Sequence, residues 1–189
     1  MERITALAVI LLFLVGCGGG GSGKSTPAPS EDAFAESARA ATNRLRVALK
    51  SELSAAMQSG GPLAALVVCK MRASEIAADV SADTGYEVGR LASRNRNPEN
   101  AAGPAEAAVL AEFEARPAFQ DTVITIDGHA TYLRAIRIDT PACLKCHGPT
   151  ESIDPGVLGQ IAELYPDDRA TGFAPGDLRG AFVVRSPPR

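Results

Sequence analysis

Apolar positions at helical spacing dominate the first half of the chain. Leu45, Leu49, Leu53 and Met57 recur every four residues and share one helix face. This helix is expected over residues 31–58. Ser30, Glu31 and Asp32 form a helix-start pattern, and Gly60-Gly61-Pro62 breaks the run. A second helix is expected over 63–81, where Leu66, Cys69, Ala73, Ile76 and Val80 follow at spacings of 3, 4, 3 and 4. That stripe turns Cys69 inward with the core. After Gly85 the pattern changes to a strand over 86–92. A turn-rich loop, Arg94-Asn95-Arg96-Asn97-Pro98-Glu99-Asn100, follows. Pro104 opens a shorter helix carrying Val109, Leu110 and Phe113, and Pro117 closes it. Residues 122–126 and 130–138 read as strands joined by Asp127-Gly128, a hairpin turn signal. A short helix over 154–165 and a last strand over 178–185 complete the domain. The fold class is therefore α+β, with long N-terminal helices and a small antiparallel sheet.

The N-terminal residues follow a different logic. Residues 1–16 carry Arg3 and an apolar run from Ile4 to Val15, too short for a comfortable membrane span. Leu14-Val15-Gly16-Cys17 resembles a bacterial lipobox, in which the cysteine is acylated and becomes the mature N-terminus. Cys17 is thus expected to be a lipid anchor, and the protein an exported, periplasmic or cell-envelope lipoprotein held at a membrane. Residues 17–30 are rich in Gly, Ser and Pro and read as a tether. Gly18 to Ser25 matches a phosphate-binding loop pattern, but no strand precedes it and Thr26-Pro27-Ala28-Pro29 follows, so nucleotide binding is not expected. The folded domain is residues 31–185, and 186–189 form a tail.

Composition narrows the chemistry. The formal charge is −3 over 189 residues, which argues against nucleic acid. There is no Trp, and aromatics make up 5% of the chain, so little large flat apolar bulk comes from side chains. The four cysteines, Cys17, Cys69, Cys143 and Cys146, do not have the spacing of a disulfide framework. Cys143-Leu144-Lys145-Cys146-His147 is the C-x-x-C-H pattern of c-type haem attachment. Two thiols one helical turn apart suit the two vinyl groups of a haem, and His147 is placed to bind the iron. A zinc site would need a second Cys or His pair, and a thioredoxin-like pair would not need the histidine. His129, beside the hairpin turn, reads as a solvated residue rather than a ligand. Cys69 reads equally as a small core hydrophobe or as the second iron ligand.

Several blocks together resemble a known family. They are Ala65-Leu66-Val67-Val68-Cys69 with Ile76-Ala77, Ser81-x-x-Thr84-Gly85-Tyr86, the Arg94 to Asn100 loop, the haem motif with Gly148, and Thr171-Gly172-Phe173-x-x-Gly176-Asp177-Leu178-Arg179-Gly180-Ala181-Phe182. In this order they resemble the bacterial PAS-like monohaem c-type cytochromes, formerly a domain of unknown function. Members stand alone or serve as sensor modules of histidine kinases and chemoreceptors. The resemblance covers about residues 60–185. It implies a PAS-like fold with one covalent haem c, the iron held by His147 and, at the position matching the family's cysteine, Cys69. Ser74 and Ala135 stand where prolines are expected.

A thiolate is an anionic donor that favours ferric iron, so the resemblance implies a low-potential haem. Lys70 and Arg72 flank Cys69, either favouring its thiolate or solvating the outer face. Arg134, Arg137 and Arg179 are candidate partners for haem propionates. The expected function is non-enzymatic: electron transfer at the membrane surface with an unidentified redox or signalling partner. The alternative is a redox or gas sensor working by displacement of Cys69.

Overall fold

A computed structural model describes residues 30–187. The expected signal peptide, the expected anchor residue Cys17, most of the expected tether and residues 188–189 lie outside the described residues. The element order is α1 (Glu31–Thr84), β1 (Glu87–Leu91), α2 (Pro104–Ala115), β2 (Asp121–Ile126), β3 (His129–Arg137), α3 (Pro141–His147), α4 (Pro155–Leu164) and β4 (Leu178–Arg185).

Helix α1 is two helices joined by a break. Its first turn is capped by Ser30, whose side chain accepts the Ala33 N–H at 3.3 Å, with Glu31 and Asp32 at the positive end of the helix dipole. Gly60 (φ −151°) and Gly61 (φ 67°, ψ −158°) leave the helical region, and Pro62 restarts it. The two arms run back along each other, joined by ion pairs of Arg44 with Asp83 and of Glu52 with Arg72. The second arm ends where Gly85 takes a left-handed conformation (φ 71°) and its N–H bonds the Ser81 carbonyl.

The sheet is antiparallel throughout, in the order β1-β4-β3-β2. Asp127 (φ 50°) and Gly128 (φ 81°) form the expected turn between β2 and β3. One sheet face packs on α1. Phe34, Ala38, Leu45, Ile76 and Val80 of the helices meet Val88, Tyr132, Phe182 and Val184. The other face packs on α2, where Leu110 and Phe113 meet Leu91, Leu133, Ala181 and Val183. Strand alternation sends neighbouring residues to opposite layers. This is the PAS-like α+β arrangement expected from the sequence.

Two details of the helix stripes differ from the expectation. On the first arm the buried face is Phe34, Ala38, Ala41 and Leu45, while Leu53 is 38% exposed. On the second arm Leu66, Ala73, Ile76 and Val80 are buried, but Cys69 is exposed. The reason is that the arm has two separate supports. Leu66 packs against Val157 and Ile161 of α4, and Ile76 and Val80 pack on the sheet. Cys69 falls between the two.

Asp121 joins three elements. It accepts the Arg39 Nε–H from α1 at 3.0 Å and the Tyr132 hydroxyl from β3 at 2.8 Å. The Arg39 hydrogen bond holds its carboxyl below the ordinary carboxylate range. Partial desolvation opposes that shift, and the Tyr132 hydroxyl adds to it. A carboxyl with a depressed folded pKa contributes stability above its unfolded pKa and loses it as pH falls through the folded one. Asp121→Asn should therefore lower the urea midpoint at neutral pH and flatten its decline in acid, as followed by circular dichroism. Gly61→Ala forces a side chain into a region that glycine alone occupies readily. It should cost about 1–3 kcal/mol in the same unfolding assay.

Candidate functional site

Strand β3 delivers the chain into α3 through Ile138. The Ile138 N–H bonds the Asp177 carbonyl at 3.0 Å, and the Gly176 N–H bonds the Ile138 carbonyl at 2.9 Å. Pro141 occupies the first turn of α3, where a missing N–H costs nothing. Cys143 and Cys146 then sit one turn apart as free, half-buried thiols. Cys143 packs beside Ile138, Ala170 and Phe173, and its sulfur lies 3.3 Å from the Thr140 hydroxyl. Cys146 packs against the Leu66, Ile153, Val157 and Ile161 cluster, so α3 touches the second arm of α1 through shared apolar contacts.

His147 ends the helix and is fixed by its surroundings. Its Nδ1 lies 2.7 Å from the Ala170 carbonyl oxygen. A carbonyl oxygen only accepts, so Nδ1 carries the proton and the Nε2 lone pair is free. Desolvation holds the imidazole pKa well below its ordinary value, and the charges of Arg179 and Arg96 push the same way. The ring is thus neutral at neutral pH, the form that binds metal. Gly148 follows because a Cβ there would lie 2.6 Å from the Leu144 carbonyl oxygen. The irregular strap that follows α4 is tied to this point: Gly172 N–H bonds the Gly148 carbonyl at 2.7 Å, and Phe173 N–H bonds that of His147 at 2.9 Å.

Sequence reasoning missed the residue that holds this strap. Arg96 lies in the turn-rich loop that follows β1, yet it is buried. Its guanidinium donates to both Asp168 carboxylate oxygens at 3.0 and 3.3 Å, to the Cys146 carbonyl at 2.6 Å and to the Ala170 carbonyl at 3.3 Å. One side chain therefore joins the C-x-x-C-H helix to the carbonyl that orients His147. Arg94 assists by donating to the Arg169 and Thr171 carbonyls, and its guanidinium carbon lies 4.0 Å from the Phe173 ring centroid. The only sequence signal was the place of both arginines in a family-like block.

Cys69 lines an apolar groove between the α1 hairpin and the sheet. Leu49 and Leu53 form one wall, Val68, Ala73 and Ile76 another, and Ile136 and Phe182 the floor. The groove is open to solvent and has a cavity volume of about 160 Å³. Cys69 as a residue is exposed, but the protein around its sulfur raises the thiol pKa by desolvation, against the charges of Arg90 and Arg96. Burial also raises the Cys146 thiol pKa; Arg96 opposes that shift and the neighbouring Cys69 adds to it. The fold thus gathers Cys69, Cys146 and their arginines into one electrostatic neighbourhood.

Other expected residues lie elsewhere. Lys70 reaches the Leu164 carbonyl at 3.4 Å and the Tyr165 ring, and Arg72 pairs with Glu75, so neither is committed to Cys69. Arg137 lies on the α2 face and donates to the Phe113 carbonyl at 2.6 Å. Arg179 donates to the Arg94 carbonyl at 3.1 Å. Arg134, opposite Phe182, is the one propionate candidate that shares the α1 face of the sheet. His129 is half-buried rather than solvated, with Nδ1 2.8 Å from the Ser186 carbonyl. It stands at the far end of β3 from α3, about 27 Å away by strand rise.

An antiparallel sheet wrapped by a helical hairpin, with paired thiols and an oriented imidazole on one short helix, defines the PAS-like monohaem cytochrome class. The model of the Tll0287-like family matches residues 28–187, and the chain belongs to that family. The crystal structure of the cyanobacterial heme-protein Tll0287 is similar, with a TM-score of 0.64 and 28% identity over 86% of this chain and 97% of that one. No curated protein matches the chain.

Arg96→Leu would leave Asp168 buried without its partner. That should destabilise the protein by about 3–5 kcal/mol, measured by urea unfolding.

Proposed function

We propose that this protein is a c-type cytochrome carrying one covalent haem, and that it transfers electrons rather than catalysing a reaction. The observation that carries this reading is the His147–Ala170 hydrogen bond, which frees a neutral Nε2 at the end of a helix bearing two free thiols. The donor set fits the group. Cys143 and Cys146 would hold it through thioether links, His147 would bind the iron, and Cys69 would be a second protein ligand to it. The similar protein of known structure, Tll0287, is a heme-protein, which supports the same reading. Bound haem supplies one-electron iron chemistry, and an anionic sulfur donor would keep its potential low.

The chain's own residues do the rest. Ala170 and Arg96 set the tautomer and direction of His147. Leu49, Leu53, Ile136 and Phe182 provide apolar surface for a flat macrocycle. We further propose that Cys17 is acylated, that the protein is an exported lipoprotein, and that it meets its redox partner at a membrane surface. Zinc is disfavoured because, among the described residues, no three His, Cys, Asp or Glu side chains converge as a ligand set. One observation favours a second reading. Cys69 lies between the two supports of the second arm, so its displacement by a small ligand would break little of the packing on α4 or on the sheet, as a redox or gas sensor requires.

The test is expression in cells equipped for haem c maturation. Wild type should retain haem stain on a denaturing gel, and Cys143→Ser/Cys146→Ser should lose it. Optical and EPR spectra should give a low-spin ferric thiolate signature that is absent from Cys69→Ala. Carbon monoxide binding to the reduced wild type would favour the sensor. A purified chain without haem would overturn the reading.

A further inference from the structure

The groove beside Cys69 carries more positive charge than its own acids balance. Five charged side chains line it: Arg46, Lys50, Glu52, Arg72 and Arg90. Lys50 is paired with Asp139 at 2.9 Å. Arg72 is paired with Glu75, and its other nitrogen lies 3.9 Å from Glu52. Two guanidiniums are left over. Arg46 donates at 2.7 Å to the neutral amide oxygen of Asn43, and its Nε is buried without a hydrogen-bond partner. Arg90 has no anionic partner among the described residues. It rises from β1 directly opposite Phe182, on the groove floor.

A guanidinium drawn out of water without an acceptor is costly, and its planar fork matches a carboxylate. The groove therefore presents two guanidiniums without an anionic partner to one apolar space. A haem has an apolar body and two propionate carboxylates. Its vinyl groups, the partners of Cys143 and Cys146, lie on a different edge from the propionates. Resting on the haem reading above, we infer that Arg46 and Arg90 are the residues that receive the two propionates. They orient the cofactor by its carboxylate edge, while the α3 thiols fix its vinyl edge. The arginines suggested by sequence do not fill this role. Arg137 and Arg179 are engaged with backbone carbonyls away from the groove, and Arg134 is not among the residues that line it.

The consequence is a charge effect on the cofactor as well as an anchoring one. Removing a cation near the iron favours the more positive, ferric state, so each loss should lower the reduction potential. The test uses the haem-loaded protein in four variants: Arg46→Gln, Arg90→Gln, Arg90→Lys and Arg72→Gln. Resonance Raman bands of the propionate bends and the potential across pH are the readouts. Arg46→Gln and Arg90→Gln should each shift the propionate bands and lower the potential. Arg90→Lys, which keeps the charge but loses the fork, should shift the bands while largely keeping the potential. Arg72→Gln, an arginine already paired, should keep the wild-type propionate bands. If Arg90→Gln does not fold, Arg46→Gln and Arg90→Lys still decide the matter. Haem-loaded Arg46→Gln or Arg90→Lys with wild-type propionate bands would overturn the assignment while leaving the haem reading intact. Wild type without any haem would overturn both.

Discussion

The buried guanidinium of Arg96 is the constraint on which the site depends. A charge held away from water must be matched by an opposite charge and by acceptors for its remaining protons. Arg96 meets that demand with Asp168 and with the carbonyls of Cys146 and Ala170. Those acceptors come from two stretches of chain, and Arg96 itself from a third. The loop after β1, the C-x-x-C-H helix and the strap after α4 are thereby fixed together. The tautomer of His147 follows from that arrangement, because Ala170 is both an Arg96 acceptor and the acceptor of the His147 Nδ1–H. The chemical readiness of the histidine is a by-product of satisfying a buried cation.

The second constraint is the break at Gly60 and Gly61. A continuous helix over Glu31–Thr84 would be about 80 Å long and would expose both apolar stripes. The break turns it into a hairpin whose arms share one sheet face. The hairpin also creates the groove, since the arms diverge from the sheet where Leu66 turns to α4 instead. Cys69 and the leftover guanidiniums border that divergence. The groove is an outcome of two competing supports for one helix.

The two sheet faces divide the labour. The α2 face is closed by Leu110 and Phe113 and serves stability. The α1 face is closed at one end by Phe34, Val80 and Val184 and opens toward Ile136 and Phe182 at the other. A PAS-like sheet of this kind can cradle a flat ligand without losing its core, because the core and the groove occupy opposite ends of the same face. Membership in the Tll0287-like family is consistent with this division.

Much of this was legible in the sequence because it is local. Gly60-Gly61-Pro62, Asp127-Gly128 and Cys143-x-x-Cys146-His147 each act within a few residues, through backbone freedom or side-chain spacing, and need no distant partner. Strand β4 and the helices fell close to their expected bounds for the same reason. What escaped was decided by pairing between segments far apart in the chain. Periodicity sent Cys69 inward, but only the packing of α4 on Leu66 shows that the helix has two supports with an opening between them. Composition could count the arginines without saying which faced the groove. Whether Arg90, Arg134 or Arg137 looks toward α1 or α2 depends on the register of β1 and β3 against β4, and a one-residue slip would exchange the faces. Arg96 lay in a loop with no pattern of its own, and its importance arises from Asp168, 72 residues away. Local chemistry thus determined the elements and the attachment motif. The tertiary structure decided the groove, its charges and the clamp on His147, because burial and long-range pairing exist only once the elements have met.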